Sequence, residues 1–103
     1  MEFLLFYEKV PDYAERQIPW QTAHREHVEA AATQGDLLLA GSMENPTDGS
    51  ALLVFRTETP APAEAFARTD PYVIHGVISR WWIRPWDVVA GTLARVSVET
   101  PRN

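Results

Sequence analysis

The segment Thr22-Ala23-His24-Arg25-Glu26-His27-Val28-Glu29-Ala30-Ala31 carries two imidazoles three residues apart, and a third, His75, stands far along the chain. Imidazole changes charge near neutral pH, so a positioned histidine can take up and return a proton during turnover. A neutral ring that is buried needs partners for its nitrogens, which turns attention to the carboxylates. Asp70 is the candidate acceptor. Pro71 biases it away from helical backbone, so its carboxylate sits at a break and is free to point back over the first helix. An Asp–His pair of this kind fixes the imidazole tautomer and makes the ring a general base. Two plainer readings stay open: His24 as a core residue with a satisfied ring, and Asp70 as the cap of the turn Asp70-Pro71-Tyr72.

Other chemistries are poorly supported. His24, His27 and His75 at their spacing permit a three-imidazole zinc site with an open fourth position, but there is no His-Glu-x-x-His motif, and our reading places no metal and no cofactor here. Nucleophile-elbow, dinucleotide and phosphate-loop patterns are absent. Ser42, in the dipeptide Gly41-Ser42, reads first as turn chemistry, with His27, His75 and Ser42 kept as candidates for acid–base or ligand contacts. Glu26, Glu29 and Glu44 read as solvated surface. Arg80, Trp82 and Arg84 share a strand face that fits either an anionic or aromatic ligand or an exposed rim. Tyr7, Trp20, Tyr72, Trp82 and Trp86 are the candidate apolar lining of a pocket.

The elements that must position these residues follow from periodicity and breakers. Glu2 to Tyr7 is a nearly continuous apolar run, as in a strand covered on both faces, and Glu8 to Pro19 reads as a loop. A helix is expected from Trp20 to Gln34, with Pro19 at its first turn and Gly35 beyond its end. Trp20, His24, His27 or Val28, and Ala31 form its inner stripe. Asp36 to Ser42 reads as a second buried strand, and Glu44 to Gly49 as a hairpin turn into a strand at Ser50 to Arg56. A second helix is expected over Ala63 to Arg68, a short turn over Tyr72 to His75, and a final strand over Val77 to Trp86, with Pro85 marking an edge or terminus.

This order, βαββαβ, predicts a ferredoxin-like α+β domain: an antiparallel sheet with two helices on one face. Phe3, Leu5 and Tyr7 point one way and Leu4 and Phe6 the other, so the second face of the sheet is expected to bury against a second copy in a homodimer. Residues 1–87 read as the domain and 88–103 as a C-terminal extension, in which Leu93 to Val98 could add a strand.

With 103 residues, 46% hydrophobic and 22% charged, the chain fits one globular domain. A net charge of −5 argues against a nucleic-acid partner. The lack of cysteine fits a reducing compartment, and the N-terminal run has neither a basic flank nor the length to cross a bilayer. A cytoplasmic protein without membrane or nucleic-acid partners is expected.

Ala23-His24, Gly35 eleven residues later, Leu37-Leu38-Leu39-Ala40-Gly41, Asp70-Pro71-Tyr72-Val73, Gly76-Val77 and Arg84-Pro85-Trp86 together resemble the YciI-like (YCII-related) family over about residues 1 to 87. The resemblance implies a ferredoxin-like fold, an α/β barrel dimer and a pocket built around a His–Asp pair, here His24 and Asp70. Relatives include a dehydrochlorinase of aromatic degradation, and muconolactone isomerases have a similar fold. Two positions depart from the family pattern: Gln21 stands where an arginine is common, and Ser42 where a proline often follows Ala-Gly. The resulting expectation is a cofactor-independent lyase, isomerase or cyclase that moves protons on a small aromatic or polyketide-like hydroxy-carbonyl compound. The alternative is a non-catalytic ligand-binding or accessory dimer.

Overall fold

The computed structural model describes residues 1–95. The elements run β1 (Glu2–Lys9), α1 (Tyr13–Arg16), a 3-10 turn (Ile18–Trp20), α2 (Gln21–Thr33), β2 (Leu37–Ser42), β3 (Ser50–Arg56), α3 (Ala61–Thr69), α4 (Pro71–Ile74) and β4 (Ile78–Trp86). Four strands pair in the order β2-β3-β1-β4, every neighbour antiparallel, which is the ferredoxin-like arrangement expected from the element order. The sheet is open, with β2 and β4 at its edges, so the α/β barrel expected alongside the dimer is not what this chain forms.

The pleat of β1 sorts the sheet into two faces. Phe3, Leu5 and Tyr7 are buried under the helices with Leu53 and Phe55 of β3. From the helical side, α2 contributes Ala31, α3 contributes Ala63, Phe66 and Ala67, and α4 contributes Tyr72. The α3 set recurs at i, i+3 and i+4, the stripe that lets a short helix lie on a sheet. Gly35, at φ +90°, ends α2 as its position predicts, because a left-handed residue there carries no Cβ penalty.

Two expectations need correction. Glu8 to Pro19 is not a plain loop: β1 extends to Lys9, and α1 and the 3-10 turn fold the segment compactly beside the sheet. Asp12 salt-bridges Arg16 across α1 at 2.9 Å. The second strand is not buried, since only Leu37 of β2 is covered and the rest of this edge strand is half-buried or exposed. Within the single chain β1 is covered on its helical side, and Leu4 and Phe6 are half-buried on the open face, the one expected to meet a second copy.

That open face carries Leu4, Phe6, Leu52 and Val54. The segment after β4 passes over it, bordering an apolar groove of about 590 Å³ together with Trp86, Val88 and Leu93. Arg56 ties the arrangement by pairing with buried Glu2 at 2.5 Å and donating to the Leu93 carbonyl. The extra strand expected over Leu93 to Val98 is not formed by residues 93–95, and residues 96–98 lie outside the described part. Among the described residues, no helix is long and apolar enough to cross a membrane.

Candidate active site

The break between α3 and α4 is the starting point. Asp70 closes α3 in an extended conformation (φ −66°, ψ 124°), as the following Pro71 demands, and opens α4 by accepting a bond from the Tyr72 amide at 3.0 Å. Its side chain has no solvent exposure. The same Oδ1 accepts from His24 Nδ1 at 2.8 Å, and Oδ2 accepts from the Tyr7 hydroxyl at 2.7 Å. Asp70 is therefore both the helix cap and the histidine's partner, the two roles left open by the sequence.

The electrostatics follow. Burial alone pushes the Asp70 carboxyl up, but the His24 and Tyr7 hydrogen bonds, the attraction of the imidazole and the Tyr72 amide outweigh it and hold the carboxyl below the usual carboxylate range. Burial beside this carboxylate pushes the Tyr7 phenol well above its ordinary value, so Tyr7 stays a neutral donor. An ionised Asp70 can only accept, so His24 Nδ1 must carry the hydrogen and the neutral ring keeps its basic lone pair on Nε2.

The rest of the ring is held by packing. His24 stacks on Tyr72 with centroids 3.8 Å apart and planes within 5°. Nε2 has no hydrogen-bond partner among the described residues, yet none of their buried polar side-chain atoms is unsatisfied. Nε2 is therefore solvent-accessible, in a side chain 22% exposed. His24 lines a cleft of about 370 Å³ between α2 and the sheet. Tyr7, Ala51 and Leu53 form its floor, Ala40 to Ser42 of edge strand β2 form one rim, and Gln21, Arg25 and Val28 continue the α2 wall. Tyr72 and Lys9 close the other end.

Of the residues singled out in the sequence, His24, Asp70, Tyr7, Tyr72 and Ser42 meet at this cleft. Gln21 and Ser42, the two departures from the family pattern, both border it. His27 is turned toward α3, bonding the Phe66 carbonyl through Nε2 at 2.9 Å and packing on the Phe66 ring. His75 stacks on Trp20, centroids 3.5 Å apart. The three imidazoles do not converge, and no cluster of metal-ligating side chains occurs among the described residues, which overturns the zinc alternative. Trp82 pairs with Phe6 in register and stacks on it at 5.2 Å, while Trp86 lies opposite Glu2; both are on the open face, away from the cleft. Arg80 and Arg84 share that face, and Arg80 covers the Trp82 ring at 4.4 Å.

Sequence reasoning missed Lys9 and Arg25. Lys9 sits two residues beyond Tyr7 on the same strand and hence on its side of the pleat, a signal that was present. Arg25 adjoins His24 but lies off the apolar stripe, so only the position of the cleft reveals it.

Comparisons with solved structures return the same fold. The 5-chloro-2-hydroxyhydroquinone dehydrochlorinase from Burkholderia phenoliruptrix AC1100, solved in complex with 2,5-dihydroxybenzoquinone, matches with a TM-score of 0.70 at 17% identity, over 84% of this chain and 94% of its own. Protein Atu4242 from Agrobacterium tumefaciens matches with a TM-score of 0.50 at 14% identity, over 82% of this chain and 89% of its own. No curated protein matches the sequence. The family model of the YCII-related domain matches residues 1–87, which takes in every element from β1 to β4, and the chain thus belongs to the YCII-related family.

Proposed function

We propose that the cleft catalyses proton transfer on a small hydroxy-carbonyl compound, with His24 Nε2 as the base and Asp70 holding its tautomer. The observation that carries this is the 2.8 Å bond from Nδ1 to a fully buried carboxylate, combined with an open Nε2 at a cleft. The substrate's C–H proton passes to Nε2, and its electron pair moves toward the adjacent carbonyl. Return of the proton at another atom gives isomerisation, loss of a leaving group gives elimination, and attack on a second carbonyl gives cyclisation. Each step needs only acid–base chemistry. The dehydrochlorinase's activity and its bound quinone support a hydroxyquinone-like substrate.

The test is deuterium uptake from heavy water, followed by NMR, into the ring C–H positions of 2,5-dihydroxybenzoquinone and related hydroxyquinones. There the enolate carbon first takes a deuteron from the imidazolium, and the resulting CHD centre then loses its proton to Nε2. Wild type should accelerate exchange, and His24→Gln should lose about 10²- to 10⁴-fold of it. Retention of the rate by His24→Gln would overturn the mechanism. Full satisfaction of Asp70 also favours a second reading, a ligand-binding dimer in which the network is structural. That reading requires ligand binding without any catalysed exchange. Under both readings we infer a homodimer formed through the open face of the sheet, supported by the half-buried Leu4, Phe6, Leu52 and Val54 there.

A further inference from the structure

We propose that the cleft takes its ligand as an anion, received by the ammonium of Lys9 and the guanidinium of Arg25. This deepens the proton-transfer reading of His24, on which it rests, by assigning the charge of the substrate and the residues that select it.

The charge distribution motivates it. The chain has fourteen Asp and Glu against nine Lys and Arg, yet the cleft lining contains two cations and no carboxylate. Lys9 is the only lysine of the sequence. Its Nζ donates to the Gln17 amide oxygen at 3.2 Å and lies 5.0 Å and 5.3 Å from the ring centres of Tyr13 and Tyr72. None of these partners carries a negative charge. Asp70, the carboxylate whose attraction reaches Lys9, is fully buried and committed to three hydrogen bonds. Burial lowers the Lys9 pKa despite the attraction of Asp70, the signature of an ammonium that lacks full compensation. On the α2 wall, Arg25 makes no ion pair among the described residues, and its charge is felt at the Tyr72 hydroxyl.

Two cations without an ion pair among the described residues, Lys9 half-buried and Arg25 exposed, beside a general base suit one kind of ligand. When His24 removes a C–H proton, the C–H bond breaks, the proton goes to Nε2, and the bonding pair ends as negative charge on the carbonyl oxygen. A preorganised cation gains attraction as that charge develops. A ligand that is already an enolate, phenolate or carboxylate is held from the outset, in a cleft where partial desolvation strengthens the pairing.

A matched pair of probes tests this. 2-Hydroxy-1,4-naphthoquinone is ionised at neutral pH, and its 2-methoxy ether is neutral with nearly the same shape. By calorimetry, wild type should bind the hydroxy compound about tenfold more tightly or better. The preference should shrink in Lys9→Met and in Arg25→Gln and return in Lys9→Arg. Because Lys9 is unique, reductive methylation with labelled formaldehyde places one side-chain NMR reporter on it while keeping its charge. That signal should move with the hydroxy compound and stay still with the ether, a readout that needs no variant to fold. Equal affinities, a preference that survives Lys9→Met and Arg25→Gln together, a static Lys9 signal, or no binding of either probe at millimolar concentration would each overturn the proposal. Deuterium uptake dependent on His24 would be untouched by any of these, so the two readings fail separately.

Discussion

Asp70 joins three parts of the chain through one carboxylate: Tyr7 is 63 residues away, His24 is 46 away, and the Tyr72 amide is local. Removing its charge leaves strong donors with a weaker acceptor inside the protein. Asp70→Asn should therefore lower stability by about 1–3 kcal/mol in denaturant unfolding at neutral pH. The pH dependence is separate evidence. Because the folded carboxyl titrates below its ordinary range, its contribution is fully present above the unfolded value of roughly 4 and is lost as pH falls through the lowered folded value. The gap between wild type and Asp70→Asn should close on acidification through that window, and a gap constant down to acid pH would refute the assignment. Both members of the pair were legible in the sequence, His24 from its place on the helical stripe and Asp70 from the proline that follows it. Lys9 and Arg25 were not read, because residue type and spacing locate a cation on an element without saying where the groove beside that element opens.

At the scale of elements, the order of strands and helices was legible, but lateral position was not. Leu37-Leu38-Leu39-Ala40-Gly41 has the composition of a covered strand, yet the order β2-β3-β1-β4 puts it at an edge. Its pairing with β3 also shifts register between Leu37 and Leu39. That exposure has a use, since the uncovered end of β2 is what lets Ala40 to Ser42 form a rim of the cleft. Trp82 and Trp86 were misread for the related reason that alternation along β4 gives two faces, and only the register with β1 says which faces the helices. The approach of α1 to the sheet depends on Gly49. Its φ is +84°, its carbonyl accepts from the Lys9 amide at 3.2 Å, and a Cβ there would stand 3.1 Å from the Tyr13 ring and 3.2 Å from Lys9 Cβ. Gly49→Ala should cost about 1–3 kcal/mol in thermal or denaturant unfolding. It should also disturb the Lys9 signal, because the ring displaced is one that flanks its ammonium. An unchanged midpoint would show that the turn yields without strain.

For the whole molecule, the sheet separates two surfaces. One face, under the helices, builds the cleft; the other is apolar, with Leu4, Phe6, Leu52 and Val54 at its centre. If the open face holds two copies together, wild type should sediment at twice the chain mass, and Phe6→Glu or Leu52→Glu should shift it to the monomer. A wild type that stays monomeric at micromolar concentration would remove the dimer. The four tryptophans follow the same division. Trp20 lies against His75 in the helical layer, one residue before α2 begins, Trp81 packs on the core, and Trp82 and Trp86 belong to the open face. Intrinsic emission therefore reports two events through different fluorophores. If the open face pairs two copies, their separation should wet Trp82 and Trp86 and shift their emission to the red, whereas an adjustment of α2 around a bound ligand should alter the quenching of Trp20 by the imidazole on its face, so that single Trp→Phe replacements separate the two by colour and lifetime in one cuvette.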